Sequence, residues 1–331
     1  MNPEASHLQP PYLLRNRHVQ SVLASSRLRK LKARQVAARL EHEASELILD
    51  GGDGVRLQGF LTRQQTLAQA RALVVLLHGW EGRSDSNYVL YTGARLLDAG
   101  FDVFRLNFRD HGDTHALNPG LFHSCRIDEV VGAVADLARR IPHQRLGVAG
   151  YSLGGNFALR LALKAPAAGI ELAHVAAVCP VIDPRASLEA IETAPWFYQH
   201  YFRLKWGRSL RHKQALYPER YHFSRDELHA SLRELTRTLV ERHTAFGSLD
   251  AYLDGYCIAA DRLAGLQVPV SILTAADDPI IPVADFHRLQ LPASASMDIV
   301  DVGGHCGFIR DFHLHSLAED WITSKLEIAC A

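Results

Sequence analysis

Residues 145–156 read Arg145-Leu146-Gly147-Val148-Ala149-Gly150-Tyr151-Ser152-Leu153-Gly154-Gly155-Asn156, and their reading decides the fold. An apolar run of strand length ends in Gly150-x-Ser152-x-Gly154 and passes at once into Asn156–Ala165, where Leu and Ala recur at helical spacing. A chain that turns this sharply has no room for side chains at Gly150 and Gly154, and such a turn lifts the Ser152 hydroxyl above the sheet edge. The helix starts beneath the serine, so its unpaired N–H groups and positive dipole end favour negative charge developing there. The stretch reads as a nucleophile elbow; the plainer alternative is a glycine-rich turn between a strand and a helix.

Similar apolar runs lie on either side of it. Ala72–Leu77, Phe101–Phe108, Val175–Ile182, Val268–Ala275 and Met297–Val302 have strand length, and helix-like segments lie at Tyr88–Leu97, Ile127–Arg140, Ala284–Leu289 and Phe312–Leu326. Alternation of strand and helix predicts an α/β fold with a mostly parallel central sheet flanked by helices. Ser45–Leu49 and Val55–Thr62, joined through Gly51-Gly52-Asp53-Gly54, predict a hairpin at one edge. The alternation breaks over 186–265, which carries Pro195-Trp196-Phe197-Tyr198-Gln199-His200-Tyr201-Phe202 and the cations Lys205, Arg208, Arg211 and Lys213. That segment is expected to be a mainly helical cap inserted into a core formed by 44–185 and 266–331. Residues 1–43, with a basic stretch from Arg27 to Arg39, are expected to form an arm with a solvated helix packed on the core.

The bulk composition narrows the function. Hydrophobic residues make up 47% and charged residues 22% of the 331, which is the balance of a soluble globular chain able to bury a large core. Lys and Arg together number 36, as do Asp and Glu, so no overall field draws the chain to nucleic acid. The five cysteines are scattered without a Cys-x-x-Cys pair, no signal peptide or membrane span is legible, and a cytoplasmic location with reduced thiols is expected. The oligomeric state is left open. The aromatic and basic run of the cap could touch a membrane surface, but a lid that packs its aromatics inward and lines an acyl pocket is the expected reading.

A serine hydroxyl needs a base, and the base an orienting carboxylate. Downstream of Ser152, one strand ends in Ala276-Asp277-Asp278-Pro279 and the next in Gly303-Gly304-His305-Cys306-Gly307-Phe308. Loops leaving the C-terminal ends of parallel strands lie on one side of a sheet, so these residues can converge. His305 is expected as base and Asp278 as its partner, with Asp277 the competing acid. The oxyanion donors are expected from the backbone N–H groups of Leu153 and Trp80, the latter in His78-Gly79-Trp80. Trp80, Tyr151, Trp196 and Phe197 are the candidate pocket residues. Arg109-Asp110-His111-Gly112-Asp113-Thr114-His115 gathers several metal-ligand types, but a structural loop explains it better, and neither metal nor organic cofactor is expected.

Together these motifs resemble the α/β-hydrolase superfamily, and within it the YheT-like branch related to ABHD-type phospholipases and fungal ethyl-ester acyltransferases. The resemblance spans nearly the whole chain. It rests on Arg15-Asn16-Arg17-His18-Val19-Gln20-Ser21, His78-Gly79-Trp80-Glu81-Gly82, Asn107-Phe108-Arg109, Leu121-Phe122-His123-Ser124, the Ser152 turn and the two downstream acid and histidine motifs. It implies a Ser/His/Asp serine esterase acting on small-molecule or lipid-like esters. Transfer of the acyl group to an alcohol by the same triad is the alternative, and a non-catalytic binding protein a third. Trp80 stands where relatives more often carry Leu, which implies a differently shaped substrate.

Overall fold

In the computed structural model, which describes residues 9–142 and 145–331, eight strands form one sheet. They are β1 (Ser45–Asp50), β2 (Arg56–Thr62), β3 (Leu73–Leu77), β4 (Asp102–Leu106), β5 (Leu146–Tyr151), β6 (His174–Val178), β7 (Val270–Ala275) and β8 (Ala295–Val300). The spatial order is β1-β2-β4-β3-β5-β6-β7-β8. The β1–β2 and β2–β4 pairs are antiparallel, and every other pair is parallel. Every residue of β3, β5 and β6 is buried, as continuous apolar strands covered on both faces must be.

Helices α1 (Arg17–Ala24), α2 (Arg27–Val36) and α3 (Ala38–His42) precede the sheet. α4 (Asn87–Asp98), α5 (Ile127–Arg140) and α6 (Leu153–Lys164) connect strands. Between β6 and β7 run α7 (Pro184–Thr193), α8 (Trp196–Leu216), α9 (Arg225–His229), α10 (Leu232–His243) and α11 (Leu249–Asp254), and α12 (Val283–His287) and α13 (Leu317–Ala329) follow. One face of the sheet packs on Val130, Val134 and Leu137 of α5 and Phe157 and Leu161 of α6. The other packs on Leu90 and Leu97 of α4 and Trp321 and Ile322 of α13, and there Ala33 and Leu40 of the N-terminal helices join the same core. No helix of the described residues is long and apolar enough to cross a membrane.

One basic stretch differs from its sequence reading. Arg29, expected on a solvated helix, is fully buried: its guanidinium pairs with Glu319 of α13, donates to the Leu314 carbonyl and lies 4.7 Å from the Tyr91 ring centre. Lys213 is also fully buried, its Nζ donating to Asp110 Oδ1 at 2.7 Å and to the His115 carbonyl at 3.0 Å. Both cations are inside because a carboxylate and carbonyls meet them there, something spacing along the chain does not reveal.

Element ends also shift, for local reasons. α6 begins at Leu153 rather than Asn156 because Ser152 itself is the N-cap. β6 stops at Val178, since Cys179 has φ +44° and Pro180 has no N–H for the ladder. α13 begins at Leu317, capped by Ser316, after a turn in which Leu314 has φ +68°.

Candidate active site

Ser152 joins β5 to α6 with φ +54° and ψ −119°. Such a backbone costs about 1–3 kcal/mol for a residue with a side chain and persists only where its surroundings over-determine it. Here they do: Ser152 N donates to the Val178 carbonyl at 2.9 Å, and the Ser152 carbonyl accepts from Asn156 N at 3.1 Å. Glycine is required on both sides. A Cβ on Gly150 would lie 2.2 Å from the Gly154 carbonyl oxygen, and one on Gly154 would lie 2.4 Å from that of His78.

His305 leaves β8 on a loop and reaches back over this turn. Its Nε2 is 2.9 Å from Ser152 Oγ and its Nδ1 2.9 Å from Asp278 Oδ2. The other oxygen of Asp278 accepts from Ile280 N at 2.8 Å and Ile281 N at 3.0 Å, which fixes the carboxylate. Asp277 does different work: its Oδ1 accepts from Gly303 N at 2.9 Å and Gly304 N at 2.8 Å, holding the loop that carries the histidine. Burial by itself disfavours the imidazolium, but the facing Asp278 carboxylate outweighs it and shifts the His305 pKa upward from 6.5, the direction that stabilises the imidazolium formed when the ring takes the serine proton.

The N-terminal helices complete this loop. Ser21 Oγ accepts from His305 N at 2.8 Å and donates to the Arg17 carbonyl at 2.7 Å. Gln20, fully buried, donates to the Ile309 carbonyl at 2.9 Å and accepts from Ile309 N at 2.7 Å. Neither residue was singled out by chemistry in the sequence; both belong to the Arg15–Ser21 motif, legible there only as a family signature.

On the far side of Ser152, the β3 loop comes close. A Cβ on Gly79 would lie 3.3 Å from Ser152 Cβ, so the backbone runs against the serine. Gly79 N donates to Tyr88 Oη at 2.9 Å, and His78 Nε2 accepts from Phe108 N at 3.2 Å. Burial and the neighbouring His111 push the His78 pKa well down, so His78 stays neutral and can accept that bond. Among the described residues no protein acceptor takes the N–H of Trp80 or of Leu153.

Ser152 and His305 open on a cavity of about 770 Å³ between the Ser152 turn, the N-terminal helices and α7, α8, α10 and α11. Trp80, Phe197, Tyr198, Tyr201, Phe202 and Trp206 form much of its wall. Trp80 stacks on Phe202 at 5.1 Å and meets Trp206 edge-on at 5.2 Å, which ties the β3 loop to α8. Two expected pocket residues are not there. Tyr151 is the strand residue before the turn, so its side chain points the other way, into the core, where its hydroxyl meets Thr92 Oγ1 at 2.7 Å. Trp196 opens α8 on the face away from the cavity and is 74% exposed.

The Arg109–His115 loop uses its ligand-type side chains on protein partners. Arg109 forks onto Glu129, Asp110 takes Lys213, His111 Nε2 accepts from Glu81 N at 3.2 Å, and His115 Nε2 meets Ser209 Oγ at 2.8 Å. The arrangement at Ser152 is chemically different: a hydroxyl, an imidazole and a fixed carboxylate in one hydrogen-bonded line can pass a proton off the serine oxygen.

Comparison with known proteins agrees in fold and class. A family model described as serine aminopeptidase, S33, matches residues 68–300. YheT, a candidate esterase of Escherichia coli (strain K12), is 27% identical over 330 aligned positions that cover 94% of this chain and 92% of that protein. Among solved structures, the Pyrococcus furiosus esterase Pf2001 superposes with a TM-score of 0.57 at 15% identity, covering 88% of this chain and 93% of that one. Proline iminopeptidase of Mycobacterium smegmatis gives 0.54 at 16% identity over 86% and 99%. At these identities the structural likenesses speak to the fold.

Proposed function

We propose that this chain, which belongs to the serine aminopeptidase S33 family of α/β hydrolases, cleaves carboxylic esters through an acyl-enzyme on Ser152. The observation that carries the reading is the unbroken line from Ser152 Oγ through His305 to Asp278, with 2.9 Å at each step, at the wall of the cavity. His305 Nε2 takes the serine proton as Oγ attacks the carbonyl, and Asp278 stabilises the resulting imidazolium at Nδ1. The N–H groups of Leu153 and Trp80 receive the oxyanion, Leu153 with the dipole of α6 behind it. The imidazolium then protonates the leaving alcohol, and water, deprotonated by the same ring, releases the acid.

An ester rather than a peptide is favoured by the cavity wall, which is largely aromatic and aliphatic, and by the likeness to YheT. Its volume lies within the roughly 300–1,000 Å³ of small-molecule sites, which suits a medium-length acyl group. The test is turnover of p-nitrophenyl esters over a series of acyl lengths, with Ser152→Ala as blank and fluorophosphonate labelling in parallel. Hydrolysis by the wild type alone, with the label on Ser152, is the expected result; equal turnover by Ser152→Ala would overturn the assignment. Added alcohol separates hydrolysis from transfer, since a transferase would divert most acyl-enzyme to the alkyl ester.

A further inference from the structure

The proposed reaction leaves two buried thiols beside its base unused. Cys179 follows β6 and Cys306 follows His305; 127 positions apart in sequence, they meet behind the imidazole. The two Sγ atoms and a ring nitrogen of His305 all lie within 4.8 Å of one another, and no other such group of three His, Cys, Asp or Glu donors occurs among the described residues. The two sulfurs are hydrogen-bond partners of one another and Cys306 also of His305, so the three donors already form one connected group. Cys179 Sγ is 3.9 Å from the Gly304 carbonyl oxygen and Cys306 Sγ 4.0 Å from that of Val178, the outer limit for sulfur.

Two further observations suit the group to a ligand. Cys306 and His305 line the cavity, so a solute that reaches Ser152 also reaches this cluster. The loop is pre-organised by Asp277 and Ser21, so the donors are held in place without metal.

We propose that Cys179, Cys306 and His305 form an inhibitory site for a thiophilic divalent cation of the zinc class. Two sulfurs and an imidazole select such ions over magnesium and calcium, which prefer oxygen. Metal–sulfur bonds of about 2.3 Å and metal–nitrogen bonds of about 2.0 Å place tetrahedral donors about 3.5–3.8 Å apart, so the three need close by only about 1 Å. Binding forms two metal–sulfur bonds and one metal–nitrogen bond, releases both thiol protons to solvent and changes no oxidation state. Ligation through Nε2 keeps the Nδ1–H bond to Asp278, the carboxylate–histidine arrangement of zinc sites. Either ring nitrogen, once ligated, is lost to the relay between Ser152 and Asp278.

The inhibitory consequence rests on His305 being the base; the binding does not. Reduced, metal-free protein is therefore titrated with Co²⁺ and followed by its thiolate-to-cobalt charge-transfer absorption. One equivalent should bind in the wild type, and the band should vanish in Cys179→Ala and Cys179→Ser, two variants of a residue that does not line the cavity. In parallel, Zn²⁺ should suppress esterase turnover of the wild type, reversibly with a chelator. Disturbing a residue behind a metal ligand already weakens affinity about 10–100-fold, so loss of the Cys179 sulfur should raise the half-inhibiting zinc concentration at least that much. Absence of the cobalt band in the wild type, or equal zinc sensitivity in the variants, overturns the proposal. A band in a protein without esterase activity would uphold the site and refute the reaction instead.

Discussion

Two adjacent aspartates compete for the acid of the relay, and the structure allows their roles to be separated by isosteric replacement. In Asp278→Asn the side-chain oxygen can keep the amides of Ile280 and Ile281, which leaves an NH₂ facing His305 Nδ1. The ring must then carry its proton on Nε2, where it donates to Ser152 and cannot accept. The corresponding change in a trypsin-like protease costs about 10⁴ in kcat, or about 5.5 kcal/mol of barrier. Asp277→Asn keeps an acceptor for Gly303 N and Gly304 N and loses only the charge on two hydrogen bonds, about 1 kcal/mol each. Only the fraction of that loss which displaces His305 reaches the barrier, so kcat should fall by less than about 30-fold. The assay is kcat and KM on a p-nitrophenyl ester, with circular dichroism to confirm that both variants fold. Equal losses in the two variants, or Asp278→Asn retaining more than about a tenth of wild-type kcat, would refute this division of labour.

Trp80→Leu removes two ring contacts to α8, about 0.5–1.5 kcal/mol each, and enlarges the cavity beside Ser152; kcat/KM should shift toward longer acyl chains, and an unchanged length profile would count against Trp80 as a wall of the site. Arg29→Ala strands Glu319 in the core and should cost about 3–5 kcal/mol in denaturant unfolding, with much of it recovered in the double variant Arg29→Met/Glu319→Gln; no recovery would mean that packing rather than charge is at stake. Burial, opposed by Lys205 and reinforced by Asp110, raises the Glu81 pKa from 4.5 to about 7. The folded chain therefore holds that proton more tightly than the unfolded one, so stability from this group is full below 4.5 and lost as pH rises to about 7. Glu81→Gln should remove that decline, making the variant's urea midpoint rise relative to wild type between about pH 5 and about pH 8; a constant difference would contradict it.

The sheet was legible because its physics is local. A run such as Ala72–Leu77 has the length and composition of a strand buried on both faces, and Gly150-x-Ser152-x-Gly154 leaves no room for side chains in its turn. Ser152, Asp278 and His305 could be paired from sequence because strand ends of a parallel sheet share one side. What sequence did not reveal depends on partners far along the chain. Arg29 reads as a surface cation until Glu319 is seen beside it, and only Asp110 beside Lys213 shows why that cation lies inside. Tyr151 and Trp196 were misread because aromatic character does not tell which side of a strand or helix faces a cavity. Ser21 and Gln20 act on a loop nearly 290 residues away through hydrogen bonds that no periodicity records.

The same contrast explains where the chain is strained. Glu81, Asp110, Ser152, Cys179 and Cys306 all have positive φ, and they follow β3, β4, β5, β6 and β8 at the C-terminal edge of the sheet. Each is a residue whose own preferences argue against its conformation, so each must be imposed by the buried strands beneath it. A parallel sheet buried on both faces can impose that much, because shifting one strand end would break ladders on both sides of it. The β5 turn uses this rigidity to hold Ser152 against His305. The proposed cation site uses the same rigidity at Cys179 and Cys306, so the reaction and its inhibition share one strained edge.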